Sequence, residues 1–170
     1  MAFREISVEE LKDNPFTLIN KDWMLITAGN KEKHNTMTAS WGGVGELWGH
    51  YVSTIYVRPQ RYTLEFIDRE DYYSLCFFGP EYREALTLCG RRSGRDIDKD
   101  QATGLTTLFD REAPYYQEAR LVFICRKQYR QNLEVGCFLD RKAYEQNYPQ
   151  NDLHRMFIGE IVTVLEKVPD

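Results

Sequence analysis

Asn35-Thr36-Met37-Thr38-Ala39-Ser40-Trp41-Gly42-Gly43, a strand-like run over 51–57, and Arg58-Pro59-Gln60-Arg61-Tyr62-Thr63 form the stretch that the rest of the chain is arranged to hold. In its first piece, hydroxyls alternate with Met37 and Ala39, as on a strand with one polar and one apolar face. The piece ends in Trp41 and two glycines, where backbone amides can approach a ligand closely. The last piece sets two arginines and a threonine around a proline at a helix start. Hydroxyls and free amides suit a neutral polar ring or a phosphate, and an arginine pair suits a phosphate dianion. A phosphorylated planar cofactor satisfies all of these groups together.

Outward from that stretch, 170 residues suffice for one ordinary domain with its own core. Aromatics make up 14% of the chain, which favours strands and a flat-ligand pocket over a helical bundle. A net charge of −4 argues against nucleic-acid binding, whose footprint is basic. No run of about 18 apolar residues spans a membrane. Met1-Ala2-Phe3-Arg4-Glu5 opens no apolar signal core, so a soluble, cytoplasmic protein is expected. Cys76, Cys89, Cys125 and Cys137 form no C-x-x-C pair, and His34, His50 and His154 fall at no zinc-site spacing from them. They read as reduced structural thiols, with no metal site.

Along the chain, Ser7-Val8-Glu9-Glu10-Leu11 is a short capped turn, and residues 23–29 are a strand that turns over 30–34 into the Asn35 strand. Residues 42–45 read as a loop that continues through Leu47-Trp48-Gly49. Residues 60–69 carry Tyr62, Phe66 and Ile67 at helical spacing, and 72–78 are again strand. The clearest helix covers 80–90, with Tyr82, Ala85, Leu86 and Cys89 on one face, Gly90 ending it, and Arg91 and Arg92 at its negative end. A mixed-charge loop over 93–100 follows. Then come strands over 115–127 and 133–139, a polar loop over 144–151 and a last strand over 154–165. Many strands with few helices mean a β-barrel or an α+β domain.

Asn35 to Gly43, followed by Tyr56-Val57-Arg58-Pro59-Gln60-Arg61-Tyr62-Thr63, closely resembles the flavin reductase-like, FMN-binding split-barrel proteins, with flavoredoxin the nearest branch. The resemblance implies a mainly β fold with some α: an FMN-binding split β-barrel of Greek-key type with a few peripheral helices, forming one domain over 1–170. It also implies a homodimer with the flavin near the interface. Asn35, Thr36, Thr38, Ala39, Ser40 and Trp41 would then face the isoalloxazine, where the residues alone allow an edge strand with an ordinary polar face. Arg58, Gln60, Arg61, Tyr62 and Thr63 would face FMN, with Arg58 or Arg61 on the phosphate; the bland reading is a solvated helix start.

Cys89-Gly90-Arg91-Arg92 leads into Ser93-Gly94-Arg95-Asp96-Ile97-Asp98-Lys99, and this last Ser-Gly-Arg-Asp-x-Asp-Lys pattern resembles a segment that lies close to the cofactor in flavoredoxin-like members. By composition alone it is an anion nest or a solvated loop. His154, in Asn151-Asp152-Leu153-His154, stands where flavin reductases carry Gly-Asp-His, with the histidine lining the flavin face as the catalytic residue; a lone histidine is otherwise a packing or surface group. No G-x-G-x-x-G turn follows a strand, so NAD(P)H would bind transiently over the flavin. The implied activity is an FMN-dependent reductase that takes electrons from NAD(P)H or a redox protein. The alternative is a flavoredoxin-like carrier with no NAD(P)H activity of its own.

Overall fold

The computed structural model describes residues 2–168. The chain enters through strand β1 (Phe3–Ile6), a 3-10 turn over Val8–Glu10, and a one-turn helix α1 (Pro15–Thr17). Ser7 and Glu10 make a reciprocal capping box on the 3-10 turn, and Asn14 caps α1. Next come two hairpins, β2 (Met24–Gly29) with β3 (His34–Ala39), and β4 (Gly42–Leu47) with β5 (His50–Val57). The first turns at Asn30, whose Oδ1 accepts from the backbone of Glu32 and Lys33. The second turns through Trp48 and Gly49, both at positive φ, as a two-residue hairpin requires.

Helix α2 (Thr63–Arg69), strand β6 (Tyr72–Phe77), helix α3 (Arg83–Arg91) and helix α4 (Lys99–Thr103) follow. The chain closes with β7 (Thr107–Leu108), β8 (Tyr115–Tyr116), β9 (Leu121–Asn132), helix α5 (Arg141–Asn147) and β10 (Arg155–Lys167). The main sheet has eight strands in the order β3-β2-β6-β9-β10-β5-β4, with β1 added to β10. Every pair is antiparallel. β3 and β4, at the two ends, do not pair with each other, so the barrel stays split.

Why the sheet curls follows from its side chains. Ile26 and Met37 from one end meet Ile55, Val57 and Val44 from the other in one core, together with Leu75, Phe123, Phe157 and the α2 residues Phe66 and Ile67. Two register shifts in the β9–β10 pairing help this bending. At Gly159, beside one shift, a Cβ would collide with the Tyr73 ring, so only glycine admits that close approach. The opposite face of β2, β6 and β9 is covered by α3 and the β7–β8 segment, which bury Leu25, Cys76, Val122 and Ile124 with Leu86 and Tyr116. With both faces covered, β2 is buried along its whole length.

Five expectations are corrected. Residues 42–45 are not loop but edge strand β4, paired from Gly42↔Ile55 to Leu47↔His50; the glycines hide the alternation while the backbone ladder still forms. Residues 115–127 are not one strand: β8 ends at Tyr116, a turn follows, and Arg120 donates its backbone N–H to Phe77 O before β9 begins. β9 then runs to Asn132 through polar residues, because β10 supplies its ladder. Residues 133–139 hold a 3-10 turn, Val135–Cys137, instead of a strand. Residues 144–151 are partly helical: Asp140 caps α5, whose Tyr144 packs with Phe138 and Tyr148. Gly90 lies inside α3, which ends one residue later. The four cysteines are free thiols, three of them buried and Cys137 exposed.

Candidate functional site

The ends of β3 and β5, the loop into α2 and the C-terminus of α3 converge on two adjoining pockets that share Met37, Arg58 and Arg61. One, of about 190 Å³, is lined by residues 37–41 with Tyr56 and His154. The other, of about 210 Å³, is lined by Asn35, residues 60–63, Arg91, Arg92, Ser93, Gly94 and Lys99. Local packing fixes their walls. Gly90 of α3 lies against the Thr38 side chain, a contact with little room for a Cβ. A Cβ on Gly94 would strike the Asn35 amide, whose Nδ2 donates to Thr63 Oγ1 at 2.8 Å.

The second pocket is defined by charge. Arg58, Arg61, Arg91, Arg92 and Lys99 line it, and no carboxylate does. Arg58 is already committed: its guanidinium donates to Asp152 Oδ2 at 2.6 Å and to Asn147 O at 2.9 Å. Gln60 donates to the same Asp152 oxygen. Gln60 first, then Arg58, hold that carboxyl below its ordinary range. Arg61 instead donates to Gly90 O at 2.6 Å, a neutral carbonyl at the negative end of α3. Lys99, buried, donates to Thr36 O at 2.6 Å and Cys89 O at 2.9 Å. Arg61, Arg91, Arg92 and Lys99 form no ion pair with a carboxylate among the described residues. Burial lowers the pKa of both Arg61 and Lys99; repulsion from Arg58 adds to the first and from Arg61 to the second. An anion placed among them removes that repulsion.

The first pocket is aromatic at its rim. Trp41, 48% exposed, lies 5.4 Å from the buried His154 ring, with Tyr56 at 6.4 Å. His154 Nδ1 is 2.8 Å from Tyr148 Oη. Burial, reinforced by Arg58, brings the imidazole pKa down to about 4, so the ring is neutral near pH 7. Thr38, Ala39 and Ser40 line the side next to Trp41.

Of the residues expected at the site, Asn35, Thr38, Ala39, Ser40, Trp41, Arg58, Gln60, Arg61, Tyr62, Thr63, Ser93, Gly94, Lys99 and His154 line one pocket or the other. Three are set apart from both. The Thr36 hydroxyl is buried against Thr27 and Ile26 O. The Cys89 thiol is sealed in the core, where burial pushes its pKa up to about 11. Arg95 pairs with Glu65, stacks 4.4 Å over Tyr62 and lines, with Thr36, a third pocket of about 490 Å³ that shares Asn35, Gly94 and Lys99 with the second. Thr38 lines the first pocket with its hydroxyl tied to Leu86 O. Arg91, Arg92 and Tyr56, which stand in the quoted motifs but not among the expected binding residues, also line the pockets, and Tyr148 supports His154 from behind. For the two arginines the signal was present, a pair of cations directly after the helix facing the anticipated anion site. Tyr148 left no sequence signal.

The family model described as flavin reductase like domain matches residues 17–169, and the chain belongs to this family. No curated protein matches it. Among solved structures, it is similar to a flavoredoxin from Methanosarcina acetivorans, at 22% identity and TM-score 0.67, over 94% of this chain and 76% of that one. It is also similar to an FMN-binding domain of a flavin reductases-like enzyme from Shewanella baltica OS155, at 13% identity and TM-score 0.68, over 97% and 77%. A third is the NADH:FAD oxidoreductase SgcE6 of Streptomyces globisporus C-1027, at 16% identity and TM-score 0.63, over 86% and 75%. Membership makes the chain a flavin-linked redox protein.

Proposed function

We propose that this protein binds FMN across the two pockets and uses it to pass electrons from NAD(P)H to a second flavin, a protein or a small acceptor. The observation that carries the reading is the acid-free pocket of five cations in a chain of net charge −4, joined to a pocket with a polar strand edge and an aromatic rim. The donor set fits the cofactor: unpaired cations for a phosphate dianion, and backbone amides with the Ser40 hydroxyl for the edge of a polar ring. When bound, FMN supplies the hydride acceptance and electron delivery that no side chain here offers.

Arg61, Arg91, Arg92 and Lys99 hold the phosphate, while Ser93 and Gly94 let the backbone come near it. Residues 38–41 orient the ring, and Trp41 and His154 border the open face where the nicotinamide docks. Similarity to a protein named as an NADH:FAD oxidoreductase supports a nicotinamide donor. We take residues 1–170 as one such domain, of which Met1, Pro169 and Asp170 lie outside the described residues. The protein is proposed to work in the cytoplasm; no helix among the described residues is long and apolar enough to cross a membrane. A homodimer is supported by Phe16, 82% exposed, and Trp41, which flank an apolar hollow against edge strand β4 beside the ring pocket.

The test is the visible absorbance of the purified protein before and after anaerobic NADH or NADPH. Flavin bands that bleach are expected. Bands that persist until dithionite is added would make the protein a carrier fed by another protein. No bands, no uptake of added FMN and no saturable reduction of FMN by NADH would overturn the reading. Sedimentation at equilibrium checks the dimer, and a monomer at all concentrations would remove it.

A further inference from the structure

We propose that Tyr148, held in place by Arg58, is a positioning residue that fixes His154 as the tautomer with its proton on Nε2, so that the pocket beside Trp41 presents a standing hydrogen-bond donor to the carbonyl oxygen of a docked planar ligand, such as a nicotinamide carboxamide. The inference rests on the flavin reading of this pocket.

Tyr148 Oη lies 2.8 Å from His154 Nδ1 and has no other partner among the described residues. The phenol is buried, which raises its pKa, so it keeps its proton. A buried hydroxyl with one acceptor in reach donates to it. Nδ1 therefore accepts, and a neutral imidazole then carries its single proton on Nε2. Nε2 has no partner among the described residues, while the ring lines the pocket next to Trp41 and Tyr56.

Arg58 organises this arrangement from the other side. Its guanidinium sits 5.1 Å over the Tyr148 ring, and its hydrogen bonds to Asn147 O and Asp152 pin both ends of the segment that carries the tyrosine to the end of β5. A cation on the ring face draws electron density from the phenol and makes it a better donor than acceptor. The titratable and charged groups facing His154 are Tyr148 at the end of α5, Asp152 before β10, Tyr56 on β5, and Arg58 and Arg61 on the loop after β5. Two cations disfavour a charged imidazole, and the one carboxylate is already engaged by Arg58 and Gln60. His154 is thus a hydrogen-bond donor by position.

The tautomer is read directly by long-range proton–nitrogen NMR of the imidazoles in ¹⁵N-labelled full-length protein. There are three histidines, and His154→Gln assigns the signal. The expected spectrum shows a neutral ring protonated on Nε2 down to about pH 5. A proton on Nδ1, or a ring charged at neutral pH, overturns the proposal without any variant being needed. Tyr148→Phe is expected to give a mixture of tautomers and a several-fold rise in KM for NADH, with kcat changed less. An unchanged tautomer in a folded Tyr148→Phe protein also overturns it. If neither NADH nor NADPH reduces the flavin, the nicotinamide assigned to Nε2–H falls, and if the protein takes up no flavin the flavin reading falls with it, whereas the NMR result still decides the tautomer.

Discussion

Arg58 and Arg61 stand three residues apart with the same charge, yet their partners give them different work. Arg58 is neutralised by Asp152 and ties down the chain before β10, whereas Arg61 reaches only the Gly90 carbonyl. Arg61→Ala is therefore expected to weaken FMN binding roughly ten- to a hundredfold, about 1.5–3 kcal/mol for a charge-assisted phosphate contact, by titration calorimetry. Arg58→Ala should instead lower the urea midpoint, because it removes the ties from the end of β5 to Asp152 and Asn147 O and leaves Gln60 alone on that carboxylate. Equal losses of affinity in the two variants would contradict this division. The sequence shows both arginines but not their partners: Asp152 lies 94 positions from Arg58, and only folding brings them together. His154 makes a second prediction. Its folded pKa, about 4, lies below the ordinary value of 6.5, so between those pH values the unfolded chain binds a proton that the folded chain does not. Stability then falls as pH drops from 6.5 toward 4, by up to about 3 kcal/mol. His154→Gln should flatten that part of a stability–pH curve, and an unchanged slope would refute the assignment.

At the scale of elements, strands with a clear apolar pattern and helices with a marked face were legible. β2, β5 and β6 and helices α2 and α3 all stand within a few residues of their expected places. β4 and α5 were not. β4 is glycine-rich, so its side chains carry no period, and its existence depends on the ladder offered by β5. Gly42 shows how local the requirement is: its φ is +155°, and a Cβ would meet Thr54 O. Gly42→Ala is expected to cost about 1–3 kcal/mol by urea denaturation, as strained backbone at a non-glycine residue does. A neutral outcome would mean that β4 is free to shift. α5 was hidden differently. Its polar surface resembles a loop, and what holds it is the packing of Tyr144 and Tyr148 on Phe138 and the grip of Arg58 on Asn147 O.

For the whole molecule, an acidic chain gathers five cations around one pocket, so the folded protein carries a repulsion that an anion relieves. Saturating FMN should raise stability by about 2.7 kcal/mol at a hundred times its Kd. The midpoint of thermal unfolding should then rise by roughly 5–10 °C for a chain of this length. Riboflavin, which lacks the phosphate, should give a much smaller shift; an equal shift would take the phosphate out of the pocket. From the sequence alone came the mainly β class, the hairpin that delivers Thr38 to Trp41, and the proximity of that strand to an arginine-bearing helix start. The first two are legible because they depend on neighbours within a few residues, through side-chain alternation and turn chemistry, whereas the last followed from the family resemblance of the two motifs. Tertiary structure alone decided which cations are free, that the Cys89 thiol and the Thr36 hydroxyl are buried away from the first two pockets, and that Tyr148 meets His154. Each of those is a contact between segments whose pairing is set by the barrel's strand order, and no local pattern encodes it.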